Sequence, residues 1–148
     1  MKAKGDSKKP DGKGSTEKDR ARKEPTWIGK REVLAIHDRV LAQHGGAGGV
    51  RDQGLLESAL ARPRQHFAHA DDPDIVEMSA LYTAGIVRNH PFVDGNKRTG
   101  FVIGILFLEL HGFEFTASEA DATQAVLAHA ASALDESAYT VWLRENSR

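Results

Sequence analysis

Eleven consecutive residues, His90-Pro-Phe-Val-Asp-Gly-Asn-Lys-Arg-Thr-Gly100, place an imidazole, a carboxylate, an amide, an ammonium and a guanidinium within nine positions. This is the equipment of an anion site with a proton acceptor beside it. A helix is expected to begin near Lys97, and its first backbone N–H groups lack intrahelical partners and carry the positive end of the dipole. Gly95 permits a left-handed backbone and lets a ligand approach closely. Lys97 and Arg98 stand in the first turn, where the dipole disfavours cations by a few tenths of a kcal/mol; a bound phosphate reverses that sign. Asp94 offers hard oxygen for Mg2+ shared with substrate phosphates. An imidazole titrates near neutrality, so His90 can serve as general base toward a hydroxyl. Each residue also has a local reading. His90 can close a helix C-terminus, Asp94 can cap the next helix or form an Asp-Gly turn, and Lys97 and Arg98 can be a solvated face.

The elements that must position this segment read as helices. Val33, Leu34, His37, Val40 and Leu41 have amphipathic spacing, ended by His44-Gly45-Gly46. Gly45, Gly46, Gly48 and Gly49 form a turn or hinge; the Gly-Lys-Ser/Thr of a P-loop is missing, since Val50-Arg51-Asp52 follows. Asp52 can cap a short helix with Leu55, Leu56, Ala59 and Leu60, which Pro63 is expected to end. Residues 64–72 show neither helical nor strand period, and a loop or short hairpin is predicted. His66, His69, Asp71 and Asp72 there are an alternative metal set, at weak spacing. From about Asp74 a longer helix places Ile75, Val76, Ser79, Tyr82, Thr83, Ile86 and Val87 inward, and Pro91 should stop it at His90. Thr99–Leu108 is apolar on every side, which predicts a buried central helix, with Gly112 as its stop. Thr116 with Glu119 suggests a capping box for a helix through about His129, and a last helix spans about Asp135 to Arg144. The fold expected is all-α, with His37 a hydrogen-bonded core histidine.

Composition sets the outer limits. The 148 residues include no cysteine, which excludes disulfides, zinc-thiolate sites and a cysteine nucleophile. No apolar run approaches the roughly 20 residues of a membrane span, and residues 1–24 lack the apolar core of a secretory signal. A soluble cytoplasmic protein is therefore expected. Residues 1–24 carry nine Lys/Arg and five Asp/Glu with almost nothing apolar; a disordered tail is predicted, either a solubilising extension or a loose contact for nucleic acid. Residues 25–148 carry eleven Lys/Arg and sixteen Asp/Glu, and this acidic balance argues against a broad nucleic-acid face. Residues 25–148 are taken as one helical domain.

The segment resembles the signature of the Fic/Doc superfamily, and more closely its Doc (death-on-curing) branch, HxFx(D/N)xNKR. His90, Phe92, Asp94, Asn96, Lys97 and Arg98 fill every fixed position. The resemblance extends over about residues 27–146 through Val33–His37, the glycine-rich loop, Arg51-Asp52 and Leu55–Leu60. Fic AMP-transferases carry HPFxDGNGRxxR; here Pro91, Asp94 and Gly95 agree, while Lys97 replaces a glycine and Phe101 the second arginine.

The Doc resemblance implies a compact helical fold with at most one short β-hairpin flap, placed at 64–72. It implies a toxin that transfers the γ-phosphate of ATP to a threonine of the translation elongation factor delivering aminoacyl-tRNA. In that scheme His90 is the base and Asp94 holds Mg2+. Gly95, Lys97 and Arg98 receive the phosphates, and Asn96 either bonds them or fixes the loop. Phe92 is a core anchor. The nearest match to the inhibitory (S/T)xxxE(G/N) helix, Val141 to Asn146, lacks the initial hydroxyl. Inhibition by a separate cognate antitoxin is therefore expected, with nucleic acid reached only through it or weakly through the tail. The alternatives are an AMP-transferase, or a non-catalytic binding module acting with the antitoxin.

Overall fold

The computed structural model describes residues 23–148 together with two short paired strands, Lys2–Ala3 and Gly5–Asp6. Most of the tail predicted over 1–24 lies outside the described residues. Among those described, six helices follow in order: α1 Lys30–His44, α2 Gln53–His69, α3 Ile75–Asn89, α4 Asn96–Leu110, α5 Glu119–Ala130 and α6 Glu136–Glu145. The all-α expectation holds. No helix among the described residues is long and apolar enough to cross a membrane.

Most helix starts follow from short acceptor side chains meeting open amides. Asp52 Oδ1 accepts from Leu55 N–H at 2.9 Å, Asp74 Oδ1 from Val76 N–H at 2.7 Å, and Asp135 Oδ1 from Ala138 N–H at 2.8 Å. α1 lacks a side-chain cap, but Glu32 reaches back to Gly29 N–H at 3.0 Å. α5 departs from the expected box. Ser118, not Thr116, caps it, through Asp121 N–H at 3.1 Å. Thr116 is diverted because its N–H donates to Asn146 at 2.7 Å, and Phe115 pairs antiparallel with Ser147. This long-range pairing leaves no local trace.

α3 and α4 cross at the centre, and small residues let them approach. A Cβ on Gly104 would strike Thr83 and Ser79, and one on Gly100 would lie 3.2 Å from the Thr83 carbonyl. The Thr83 hydroxyl donates to Gly100 O at 2.8 Å across this seam. On one side lies a core of Ile28, Val33, Leu56, Tyr82, Ile86, Phe92, Ile103 and Phe107. On the other, Val76, Ala80, Leu108, Val126, Tyr139 and Leu143 join α5 and α6 to the pair. α4 is not buried all round, since Val102 is 37% exposed and borders a cleft described below.

Two expectations fail at α2. Pro63 lies inside the helix and does not end it, and residues 64–69 are helical where a loop or hairpin flap was predicted. An interior proline removes one helical hydrogen bond and crowds the preceding turn, at about 3 kcal/mol. Packing offsets this: Leu56, Ala59 and Pro63 are buried, with Gly85 of α3 close enough that a Cβ there would sit 3.1 Å from Ala59. Beyond the proline, Phe67 meets Trp27 edge-on at 5.7 Å, so the last turns have an apolar partner of their own.

Candidate active site

The segment singled out by its chemistry is the connection from α3 to α4. α3 ends at Asn89, and His90 takes a left-handed backbone, φ 52° and ψ 54°. Its side chain is exposed, and the next two residues, Pro91 and Phe92, are buried. Phe92 lies flat against the buried ring of His37, centroids 3.8 Å apart and planes 9° from parallel. His37 Nε2–H donates to the Asp94 carbonyl at 2.8 Å, so this core histidine also holds the loop.

Asn96 is buried, and its amide is committed to the loop. Its Oδ1 accepts Phe92 N–H at 2.9 Å, and its Nδ2 donates to Phe92 O at 2.9 Å. Of the two roles expected for this side chain, the geometry is that of a staple.

Asp94 is exposed and does not cap α4. Its Oδ1 accepts the neighbouring Gly95 N–H at 2.8 Å, and Oδ2 faces Ala47 N–H at 3.4 Å. The carboxylate rests on the glycine-rich turn, where a Cβ on Gly46 would come within 2.8 Å of Oδ2. That close approach explains a glycine at 46. Gly95, φ 79° and ψ 15°, stands at the cap position before α4 and provides no side-chain cap. The backbone N–H groups of Asn96, Lys97 and Arg98 meet no acceptor among the described residues. Lys97 and Arg98 are exposed and have no ion-pair partner among the described residues.

His90, Asp94, Gly95, Asn96, Lys97 and Arg98 all border one open cleft of about 670 Å3. Val40 and His44 of α1 form one wall, and Ala122, Val126 and Leu127 of α5 the opposite one. Phe101, at the place of the second arginine of the Fic pattern, lines the floor and meets Phe115 edge-on at 5.7 Å. One end of the cleft, at the start of α4, is thus cationic and rich in open amides; along α5 the lining is mixed, with Ala122, Val126 and Leu127 beside Ser118, Glu119 and Thr123. Phosphate fits the first end. Asp94 fits a divalent cation shared with phosphate oxygens: a single exposed carboxylate, each oxygen using one lone pair, is what Mg2+ needs when substrate supplies the rest. No group of three or more His, Asp or Glu suited to a metal occurs among the described residues, so the set His66, His69, Asp71 and Asp72 does not assemble. His66 instead faces Glu77 at 3.9 Å, and His69 Nδ1–H donates to Gln65 O at 3.1 Å.

The structure adds residues to which the sequence reading gave no part in the site. Val50 pairs antiparallel with Phe92, and Val93 N–H donates to Gly49 O at 3.1 Å, so the glycine-rich turn lies beside the loop from His90 to Gly95. Residues 64–72, expected to provide the flap, do not contribute to the cleft lining. Glu145, the nearest candidate for an inhibitory glutamate, closes α6 and does not line the cleft either.

Comparison with known proteins agrees with this geometry. The Fic/DOC family model matches residues 27–108, from the segment before α1 to the end of the buried part of α4. "Protein kinase doc" of Escherichia phage P1 is 34% identical over 87 residues, 59% of this chain and 69% of that protein. "Toxin Doc" of Mycolicibacterium smegmatis is 39% identical over 74 residues, 49% of this chain and 57% of that protein. With the loop, its helical frame and these relatives in agreement, the chain belongs to the Fic/Doc family, on its Doc branch.

Proposed function

We propose that the protein is the toxin of a toxin–antitoxin pair, and that it halts translation by phosphorylating a threonine hydroxyl of a translation elongation factor with ATP. Lys97 carries this reading. It is exposed and unpaired among the described residues, at the open start of α4, where the AMP-transferase pattern has glycine. A glycine there lets a diphosphate lie against the backbone; a lysine side chain obstructs that pose and offers charge to a terminal phosphate. The names of the two relatives, a protein kinase and a toxin, support both halves of the proposal.

In this mechanism the target oxygen attacks the γ-phosphorus of ATP, the bond from that phosphorus to the β,γ-bridging oxygen breaks, and ADP leaves. His90 takes the hydroxyl proton on its ring. Lys97, Arg98 and the open N–H groups of Asn96, Lys97 and Arg98 hold the phosphates and the charge that spreads over them in the transition state. Asn96 acts through its backbone, its side chain being occupied by Phe92. Asp94 would hold Mg2+, which supplies neutralising charge to the phosphates. Gly95 keeps the approach clear. A cognate antitoxin is the expected inhibitor, binding in trans, and any contact with nucleic acid runs through it or weakly through the tail.

The test is intact-mass spectrometry of the elongation factor after incubation with the protein, ATP and Mg2+. A gain of about 80 Da, one phosphoryl group, that His90→Ala abolishes is the expected result. A gain of about 329 Da, one AMP, overturns the kinase assignment and means that Lys97 does not obstruct the Fic pose. Cellular toxicity unchanged in His90→Ala, with no mass gain, points to a binding module.

A further inference from the structure

His90 has the least favourable backbone in the loop. Left-handed geometry is disfavoured for a residue with a Cβ, and the following Pro91 pushes its predecessor toward extended conformations. Such a conformation persists only where the surroundings over-determine it; the His90 N–H closes α3 on the Ile86 carbonyl at 3.1 Å, and one side chain holds the carbonyls on either side of the His90 Cα. Arg51 Nε donates to the His90 carbonyl at 2.7 Å, and Arg51 Nη2 donates to the Asn89 carbonyl at 3.0 Å. The Asn89 carbonyl lies in the peptide plane before the His90 Cα and the His90 carbonyl in the plane after it. Their orientations about that Cα are φ and ψ of His90. A single planar guanidinium therefore holds both.

The neighbouring backbone completes the grip. Arg51 N–H and Asp52 N–H both donate to the Pro91 carbonyl, at 2.6 and 3.1 Å, and Asn89 Nδ2 donates to Leu55 O at 2.9 Å. Three successive carbonyls, of residues 89, 90 and 91, are thus held by Arg51 and Asp52, the two residues just before α2. The phosphate end of the loop has separate supports, the Asn96–Phe92 staple and the bond from His37 to Asp94.

We propose that Arg51 is the positioning residue of the site: its guanidinium sets the backbone angles of His90 and so aims the base at the target hydroxyl, without contacting substrate. This deepens the proposed phosphotransfer and rests on it for its kinetic consequence, though the conformational part stands alone. Lysine cannot replace the arginine, because an ammonium is a point donor and lacks the fixed fork that reaches two carbonyls.

Two measurements test it on the full-length chain. In the elongation-factor assay, Arg51→Ala is expected to lower kcat about a hundredfold, the scale of an ångström-sized misplacement, with KM for ATP within about a factor of two of wild type. Arg51→Lys should not restore the rate, whereas added guanidinium ion should partly restore Arg51→Ala. Turnover of Arg51→Ala at the wild-type rate, full rescue by Arg51→Lys, or a loss confined to KM overturns the proposal. The second measurement needs no activity: backbone amide and carbon chemical shifts of His90 in isotope-labelled protein report φ and ψ. They should leave the left-handed range in Arg51→Ala, or in Arg51→Lys should the alanine variant not fold. Left-handed shifts retained in the variant overturn the proposal. Absence of turnover in wild type, together with an Arg51-dependent shift at His90, instead condemns the phosphotransfer reading and leaves the positioning role in place.

Discussion

Of the helices that border the cleft, α4 and α5 have opposite kinds of beginning. α5 starts as helices usually do: Ser118 caps it, and Glu119 and Asp121 place negative charge in its first turn. α4 starts after a glycine with no side-chain cap, has three N–H groups without an acceptor among the described residues, and carries Lys97 and Arg98 where acids belong. α3 and α6 resemble α5, with aspartate caps and a glutamate in the first turn. The difference marks which helix start suits the phosphates of the proposed reaction. A helix start completed by its own side chains has nothing left to offer an anion, whereas one left open and loaded with cations has its counter-charge still to come.

The largest effect expected from this contrast is on nucleotide binding. Lys97→Ala and Arg98→Ala should each weaken ATP·Mg2+ binding at least about tenfold, the scale of a charge-assisted hydrogen bond. Each should also raise the stability of the free protein by a few tenths of a kcal/mol, because a cation leaves the positive end of a dipole. Calorimetric titration with ATP and a thermal melt of the same variants read the two signs. Loss of stability with unchanged binding would make the two cations structural and break the contrast.

Ser118→Ala should behave in the opposite way across the cleft. Loss of its cap costs about 1 kcal/mol, a fall of a few degrees in Tm; because Ser118 also lines the cleft, ATP titration should change, but by much less than at Lys97 or Arg98. The smallest effect concerns acid. Glu136, in the first turn of α6, is held below the ordinary carboxylate range by hydrogen bonds from Arg62, which outweigh its burial, with Arg88 adding to the field. For Asp74, burial pulls upward, but Arg144 and the amides of Glu77 and Val76 outweigh it, and the net shift is downward. Both groups are more acidic folded than unfolded. Their contribution is therefore complete above the unfolded carboxylate pKa of about 4 and is lost as pH falls through the lower folded values. Tm should decline below about pH 4, and less steeply in Glu136→Gln. An unchanged slope would mean that these helix starts are not held by their ion pairs.

The parts of the fold that could be read in the chain are those with local causes. Asp52, Asp74 and Asp135 cap the helices that follow them because capping is a contact across two or three residues. Pro91 limits α3, and the spacing of Val33, His37 and Val40 buries the matching face of α1. Pro63 shows the limit of such reading. Its local preference is to end a helix, and contacts with α3, invisible in the neighbouring residues, decide otherwise. Thr116 and Ser118 teach the same at α5, where pairing with the last residues of the chain takes the backbone of the expected cap. The small residues of the central seam went unread for a similar reason, since Gly100 and Gly104 acquire a role only once Thr83 and Ser79 lie against them.

By itself the sequence determined the chemistry on offer at the candidate site: an imidazole, a carboxylate and two cations around a glycine at a helix start. Residue type and spacing suffice for that, because the groups lie within nine positions of one another and a loop between two helices must bring them close. The tertiary structure alone decided how those groups are aimed. Arg51 reaches His90 across 39 residues, and His37 reaches Asp94 across 57; α5 supplies the far wall of the cleft from later still in the chain. Whether Asn96 faces phosphate or the loop, and whether Asp94 caps α4 or stands clear of it, depends on which donors lie within about 3 Å, and only packing sets such distances.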